Sequence, residues 1–308
     1  MPAPSVPFPL RAVRGALRKL NAYLSRRQEA ARWSGASAAD SRDPALAEAE
    51  AALRRVSPED PGARAYLEEH LRRLARTLTL IPRAAGNGRA LELGCYMQIT
   101  PLLRDVCGYS EVRGANLGRP GERELKVVQV DGRDFECTVD LFDAERDVFP
   151  YPDGHFELVL ACELIEHMVA DPMHLLLECR RVLADGGRLL LTTPNIASLT
   201  SVWRVLHGYD NPQIYYQYSR PVEGKATEIQ HMREYTAFEL RNAVRDAGFE
   251  VELLLTEPIA KFAKHLPMAA FLEEHGFNTA YRGEQTYCIA VKKPGLPVTR
   301  YPKFLYVE

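Results

Sequence analysis

Long apolar runs are missing from this chain. None approaches the ~18 residues needed to cross a bilayer, and the N-terminus lacks the hydrophobic core of a signal peptide. The expected location is therefore cytoplasmic, at most peripheral to the inner face of a membrane. A basic surplus is missing as well: 39 Lys+Arg face 41 Asp+Glu, for a formal net charge of −2. Neutralising phosphates takes a basic face, so nucleic acid is not the expected partner, and a small molecule fits better. Paired cysteine spacing is also absent. Cys95, Cys107, Cys137, Cys162, Cys179 and Cys288 include no Cys-x-x-Cys, and several lie in apolar runs, which reads as reduced core thiols. No internal repeat occurs. No Gly-rich fingerprint followed by an acidic residue about twenty positions on is present, which argues against a nicotinamide-dependent oxidoreductase.

What is present is an alternation of apolar strands and helices. Three segments stand out: Arg89–Leu103, Phe156–Met168 and Gly186–Asn195. Two of them are strands that end in polar residues and pass into a helix, and the third ends in Thr-Pro-Asn. That pattern predicts one parallel sheet with a ligand crevice at its strand ends. Strands are expected at 89–93, 111–116, 137–141, 156–162, 187–193, 250–256 and 285–292, with helices at 63–80 and 236–247. The fold class is α/β, with seven mostly parallel strands flanked by helices. Its 308 residues allow one large domain plus an appendage. Residues 1–60 read as a basic amphipathic helix and linker, 61–295 as the main domain with a lid at about 196–235, and 296–308 as a tail. The apolar stripe and arginines of residues 8–33 could contact a membrane or a protein partner, or pack on the domain.

Across roughly residues 88–293 these segments resemble the class I S-adenosylmethionine-dependent methyltransferases, and the wording is similar to enzymes of glycan and small-molecule biosynthesis. The resemblance implies a Rossmann-like fold, S-adenosylmethionine as cofactor, and transfer of its methyl group. It places Glu92, Gly94, Cys95 and Tyr96 in the cofactor loop. Tyr96 and Gln98 stand where the family has further glycines, so the loop is expected to take a different path, because neither residue adopts positive φ cheaply. Thr100-Pro101 reads as an N-cap and first helical residue. Asn116 stands where the family binds ribose, or else caps a turn before Gly118. Asp140 with Leu141 stands at the adenine position, which passes to Asp143 if the strand ends two residues later. Cys162 and Glu163 complete the cofactor set.

Glu163, Glu166 and His167 fall at i, i+3 and i+4 and are expected on one side of a helical turn. Similar Glu-x-x-Glu-His segments occur in quinone and small-molecule O-methyltransferases, some of which hold a divalent metal there. No metal is assigned, but Glu163, Glu166 and His167 would be the ligands if one binds. His167 is read as a general base or substrate orienter, or as a structural histidine, and His231 is the second candidate base. Trp203, His207, Tyr209, Tyr215, Tyr216 and Tyr218 could line a wall for a sugar or aromatic acceptor, or pack the lid onto the sheet. O-methylation of a small-molecule or carbohydrate-containing acceptor is the leading functional reading. A non-catalytic methyltransferase-like scaffold is the alternative.

Overall fold

The computed structural model describes residues 43–208, 211–213, 218, 220, 230–258 and 266–307. The basic segment 8–33 and the lid residues Tyr209, Tyr215 and Tyr216 lie outside them. Among the described residues no helix is long and apolar enough to cross a membrane.

Among the described residues nine strands form one sheet: β1 (Val56–Ser57), β2 (Arg89–Leu93), β3 (Glu111–Asn116), β4 (Arg123–Val130), β5 (Arg133–Leu141), β6 (Phe156–Cys162), β7 (Leu183–Pro194), β8 (Phe249–Glu257) and β9 (Gln285–Lys292). Their spatial order is β1-β4-β5-β3-β2-β6-β7-β9-β8. The run β5-β3-β2-β6-β7 is parallel. β4 is antiparallel to β5, and β9 is antiparallel to both β7 and β8.

The central strands are buried on both faces, as a parallel sheet covered by helices requires. Leu91, Leu93, Val159, Ala161, Leu189 and Leu191 pack into one core with the helices Pro172–Val182 and Ala237–Asp246. The alternate residues Ala90, Leu158, Leu160 and Leu190 pack into the other, with helices Pro44–Leu53, Leu71–Leu80 and Thr100–Asp105. This period-two division is what a pleated strand dictates. Chain order reverses at β2, which has β3 on one side and β6 on the other, and such a switch point opens a crevice beyond the strand C-termini.

All seven expected strands are present, and two more join them. β4 and β5 form a hairpin around Asp131-Gly132, whose φ values of +50° and +73° suit the tight two-residue turn. β5 therefore starts at Arg133, four residues earlier than expected. The two-residue β1 then adds to the β4 edge. The helix expected at 63–80 is broken at His70, which takes φ −106° and divides it into Pro61–Glu69 and Leu71–Leu80. Residues 43–57, read as part of a linker, are built into the domain: Leu46, Ala49, Leu53 and Val56 are buried in the second core. The tail is anchored too, with Tyr306 Oη donating to Asp171 at 2.6 Å and Thr299 N to the Asp246 carbonyl at 2.7 Å. All six cysteines are free.

Candidate active site

The loop after β2 begins at Gly94, with φ +70°, and a Cβ added there would meet nothing within 4 Å. The left-handed backbone calls for glycine, and the space above it is open to a ligand. The second left-handed residue is Met97 (φ +67°), so neither Tyr96 nor Gln98 has to adopt positive φ. Gln98 turns inward and is buried, whereas Tyr96 is 69 % exposed and faces Tyr66 across 6.5 Å. The loop is pinned to the end of β3. Gly94 N and Cys95 N both donate to the Ala115 carbonyl, at 2.9 and 3.2 Å. Asn116 Nδ2 and Lys126 Nζ both donate to the Cys95 carbonyl at 3.2 Å. The donor end of Asn116 thus holds the loop in place.

Glu92 lies behind this loop, buried, and accepts a hydrogen bond from Thr100 Oγ1. Burial pushes its carboxyl well above the usual carboxylate range; the neighbouring Cys95 adds to this, and the Thr100 hydrogen bond offsets only part of it. Thr100 is the first helical residue and does not cap the helix. Ile99 occupies the N-cap position without a side-chain hydrogen bond, and helix Thr100–Asp105 starts one residue earlier than expected.

Asp140 is engaged by the protein itself. It is 2 % exposed, and its carboxylate accepts from Arg113 Nη2 at 2.8 Å, Arg123 Nε at 2.7 Å and Tyr151 Oη at 2.8 Å. Both oxygens are taken by the protein. Asp143, two residues beyond β5, is half-buried. Its Oδ1 accepts from Glu145 N at 2.9 Å. Leu141 is half-buried and packs against the second core, and Leu117, just past β3, is 68 % exposed.

At the end of β6 the backbone is strained. Glu163 adopts φ +50°, unusual for a side chain of this size. Its Oε1 accepts from Thr192 Oγ1 and Gln285 Nε2, both at 2.7 Å, and lies 3.7 Å from Arg73 Nη1. The turn that follows, Ile165–His167, is a single 3₁₀ turn, and Glu163 is not among the ligand atoms that cluster there. The expected grouping of those three is corrected accordingly: the third member of the cluster is His231. One ligand atom each from Glu166, His167 and His231 lies within 4.8 Å of the others. The two imidazoles meet edge to face at 4.7 Å, and His231 Nε2 is 3.9 Å from Glu166 Oε1.

Tertiary hydrogen bonds bring these residues together. Met232 N and Arg233 N both donate to the Glu166 carbonyl, at 2.8 and 3.2 Å. Asn195 and Tyr235 form a parallel bridge that lays this segment beside the end of β7. Glu166 is fully buried. Its Oε2 accepts from Thr193 Oγ1 at 2.9 Å, and burial, reinforced by Glu163, raises its carboxyl well above the usual range.

Sequence reasoning missed Arg73 and Tyr66. Arg73 Nη2 donates to Tyr66 Oη at 2.6 Å, beside Glu163 and close to the loop. Burial would lower the Arg73 pKa, but the carboxylate of Glu163 and the Tyr66 oxygen outweigh it and raise it. One of three arginines on an amphipathic helix, Arg73 carries no local signal of such a place. Of the lid aromatics, Trp203 stacks on His207 at 4.0 Å, and Tyr218 is 97 % exposed.

Comparison with known proteins gives this crevice a family. Residues 64–254 match the model of a methyltransferase domain. Over 132 residues the chain is 33 % identical to the 27-O-demethylrifamycin SV methyltransferase of Amycolatopsis mediterranei, covering 41 % of this chain and 46 % of that protein. Over 109 residues it is 30 % identical to a ubiquinone biosynthesis O-methyltransferase of Cereibacter sphaeroides, covering 35 % and 41 %. The chain thus spans less than half the length of either relative. An S-adenosylmethionine-dependent methyltransferase of Methanosarcina mazei superposes with a TM-score of 0.45 at 17 % identity, over 68 % of this chain and 94 % of that one. With more than half of its residues in the family match and the switch-point crevice in place, the chain belongs to the class I S-adenosylmethionine-dependent methyltransferases.

Proposed function

We propose that this chain transfers the methyl group of S-adenosylmethionine to an oxygen atom of a small-molecule or carbohydrate-containing acceptor. The observation that carries the reading is the convergence of Glu166, His167 and His231 at the crevice, on the same strand end as the cofactor-side residues Cys162 and Glu163. The relatives support it, since their names describe methylation at oxygen.

The crevice residues fit the cofactor. Open space over Gly94 admits a ligand against the backbone, and exposed Leu117 offers an apolar face beyond β3. Asp143 is assigned the adenine contact in place of Asp140. Glu163 and Arg73, a carboxylate and a guanidinium beside the loop, are the charged groups available to the amino-acid end. When bound, the cofactor supplies a methyl group on a sulfonium, whose departure as a neutral thioether needs no covalent help from the protein.

What remains for the chain is alignment and removal of the acceptor proton. Holding nucleophile and methyl near contact distance is worth several kcal/mol. A hydroxyl that attacks carbon must also lose its proton, and imidazole is the side chain suited to accept one near neutral pH. The His167–His231 pair is assigned this role, and the acceptor O–H proton leaves at this cluster as the new O–CH₃ bond forms.

Calorimetric titration of the full chain with S-adenosylmethionine and S-adenosylhomocysteine tests the cofactor half, with micromolar binding expected. Transfer of labelled methyl to hydroxylated acceptors tests the rest. His167→Ala and His231→Ala should lower turnover at least tenfold more than cofactor affinity. Absence of cofactor binding would instead support the scaffold reading.

A further inference from the structure

We propose that Arg282 is the recognition point for an anionic group, a carboxylate or a phosphate, carried by the acceptor. The anion site stands on the geometry around Arg282. Its assignment to the acceptor rests on the methyltransferase reading above.

Arg282 is a half-buried guanidinium without a counter-charge. Its Nε donates to the Asn278 carbonyl at 3.0 Å and its Nη1 to the Ala197 carbonyl at 2.8 Å, whereas among the described residues Nη2 has no hydrogen-bond partner and no carboxylate forms an ion pair with the group. Carbonyl oxygens aim a guanidinium but do not neutralise it. Burial is the one influence on its pKa and lowers it; at Arg181, also half-buried, the hydrogen-bonded carboxylate of Glu178 outweighs burial and raises it. A cation taken partly out of water stays costly until an anion joins it. Helix Leu199–His207 adds charge of the same sign, because Leu199 N donates to the Arg282 carbonyl at 3.0 Å and sets the positive helix end beside this residue. Nη2 and the remaining N–H of Nη1 are the donors left for an oxyanion.

The backbone that carries Arg282 is locked on both sides. Buried Asn195 donates through Nδ2 to the Tyr281 carbonyl at 2.9 Å and to the Gly283 carbonyl at 2.7 Å. Tyr281 is held at φ +60°, a strained conformation for an aromatic residue that persists only where its surroundings enforce it. Gly283 packs so closely on β8 that an added Cβ would lie 2.4 Å from the Glu257 backbone. These constraints also place Arg282 at the crevice end of the sheet. Gln285, which starts β9, pairs with Pro194 at the end of β7 and donates to Glu163, and Thr193 of β7 donates to Glu166. Four residues, at most about 13 Å of extended chain, separate Thr193 from Ala197, the carbonyl that holds the guanidinium. An acceptor of monosaccharide size or larger can therefore present its hydroxyl to the histidines and its anionic group to Arg282.

The test uses the full chain. Its affinity for S-adenosylhomocysteine is measured first, and inorganic phosphate, benzoate and the neutral benzyl alcohol are then titrated by calorimetry with and without that product. Saturable binding of at least one anion, millimolar or tighter, is expected. Which anion binds distinguishes phosphate from carboxylate, and benzyl alcohol should bind at least tenfold more weakly than that anion. Arg282→Gln should weaken the anion at least tenfold and leave S-adenosylhomocysteine affinity within about threefold, which also shows that the variant is folded. If circular dichroism shows Arg282→Gln to be unfolded, Arg282→Lys, which keeps the charge and loses the planar fork, should weaken the anion at least threefold. Arg133→Gln, at an exposed hairpin position, should bind like the wild type. Once an anionic acceptor is turned over, the Arg282 variants should raise its KM more than they lower kcat. Failure of both anions to bind, or anion binding unchanged in the Arg282 variants, would overturn the proposal. Product binding without anion binding sinks the anion site and leaves the methyltransferase reading intact, whereas anion binding at Arg282 without product binding overturns that reading and the acceptor role with it.

Discussion

Replacing Asp140 with asparagine separates two roles for that carboxylate. As an adenine contact, Asp140 would be dispensable for folding, and its loss would weaken cofactor binding alone. The structure predicts the opposite outcome. The carboxylate is 2 % exposed and is held by Arg113, Arg123 and Tyr151 at 2.7–2.8 Å. Asparagine keeps one acceptor oxygen but turns an NH₂ group toward a donor, and it leaves two guanidiniums without their counter-charge. Removing one partner of a buried pair costs about 3–5 kcal/mol. Water reaches the arginines here, since the Arg123 side chain is 63 % exposed and that of Arg113 23 %, so the expected loss is smaller, roughly 2–4 kcal/mol. At about 2–4 °C per kcal/mol for a chain somewhat shorter than this one, the midpoint should fall by roughly 4–16 °C, toward the lower end for a chain of this length. Thermal unfolding by circular dichroism reads that shift. Calorimetry with S-adenosylmethionine at a temperature where both proteins are folded should give affinities within about threefold. An Asp140→Asn protein that melts within about 1 °C of the wild type yet binds cofactor tenfold more weakly would refute this assignment.

Three further outcomes are expected. Gly94→Ala imposes φ +70° on a side chain and should cost about 1–2 kcal/mol in denaturant unfolding; because the new methyl occupies open space at the loop, cofactor affinity should drop by more than stability does. Glu92 has its folded pKa raised well above 4.5, first by burial. Its contribution is therefore complete below the unfolded value and fades as pH rises toward the folded one. Glu92→Gln, which keeps an acceptor for Thr100, should remove that slope, and a stability–pH profile from pH 5 to 9 that is the same in both proteins would contradict the assignment. For Asp171, burial acts to raise the pKa, but hydrogen bonds from Arg300 and Tyr306 prevail and hold it below 3.8. The stability it lends the tail is present above 3.8 and lost as pH falls through the lower folded value, so Arg300→Ala should flatten that acid limb and speed amide exchange at 296–307 near neutral pH.

The parts of the fold that could be read directly were those in which a single strand carries its own signal. β2, β6 and β7 are buried on both faces and read as apolar runs whatever their neighbours. β4 and β5 alternate instead: Val128 and Val130 are buried on one strand, Phe135, Cys137 and Val139 on the other, and the polar Gln129, Glu136 and Thr138 stand between them. Neither strand makes a continuous apolar stretch. The turn signal, Asp131-Gly132, was present, and its weight comes from pairing two alternating strands rather than from either one alone.

That one omission propagated into the site. Once β4 is paired with β5, Arg123 stands directly opposite Asp140, and the carboxylate acquires a counter-ion. A strand read without its neighbour leaves an acidic residue near its end looking available to a ligand. The histidines show the converse. His167 and His231 could be chosen by residue type, but they lie far apart in the chain, and no spacing rule joins them. The join is made by Met232 N on the Glu166 carbonyl and by the bridge between Asn195 and Tyr235. Glu163 left the cluster for a local reason, its left-handed backbone at the strand end, which the i, i+3, i+4 pattern of a regular helix does not anticipate. Residue chemistry therefore nominated the participants, while hydrogen-bond register between distant segments determined which of them share a site.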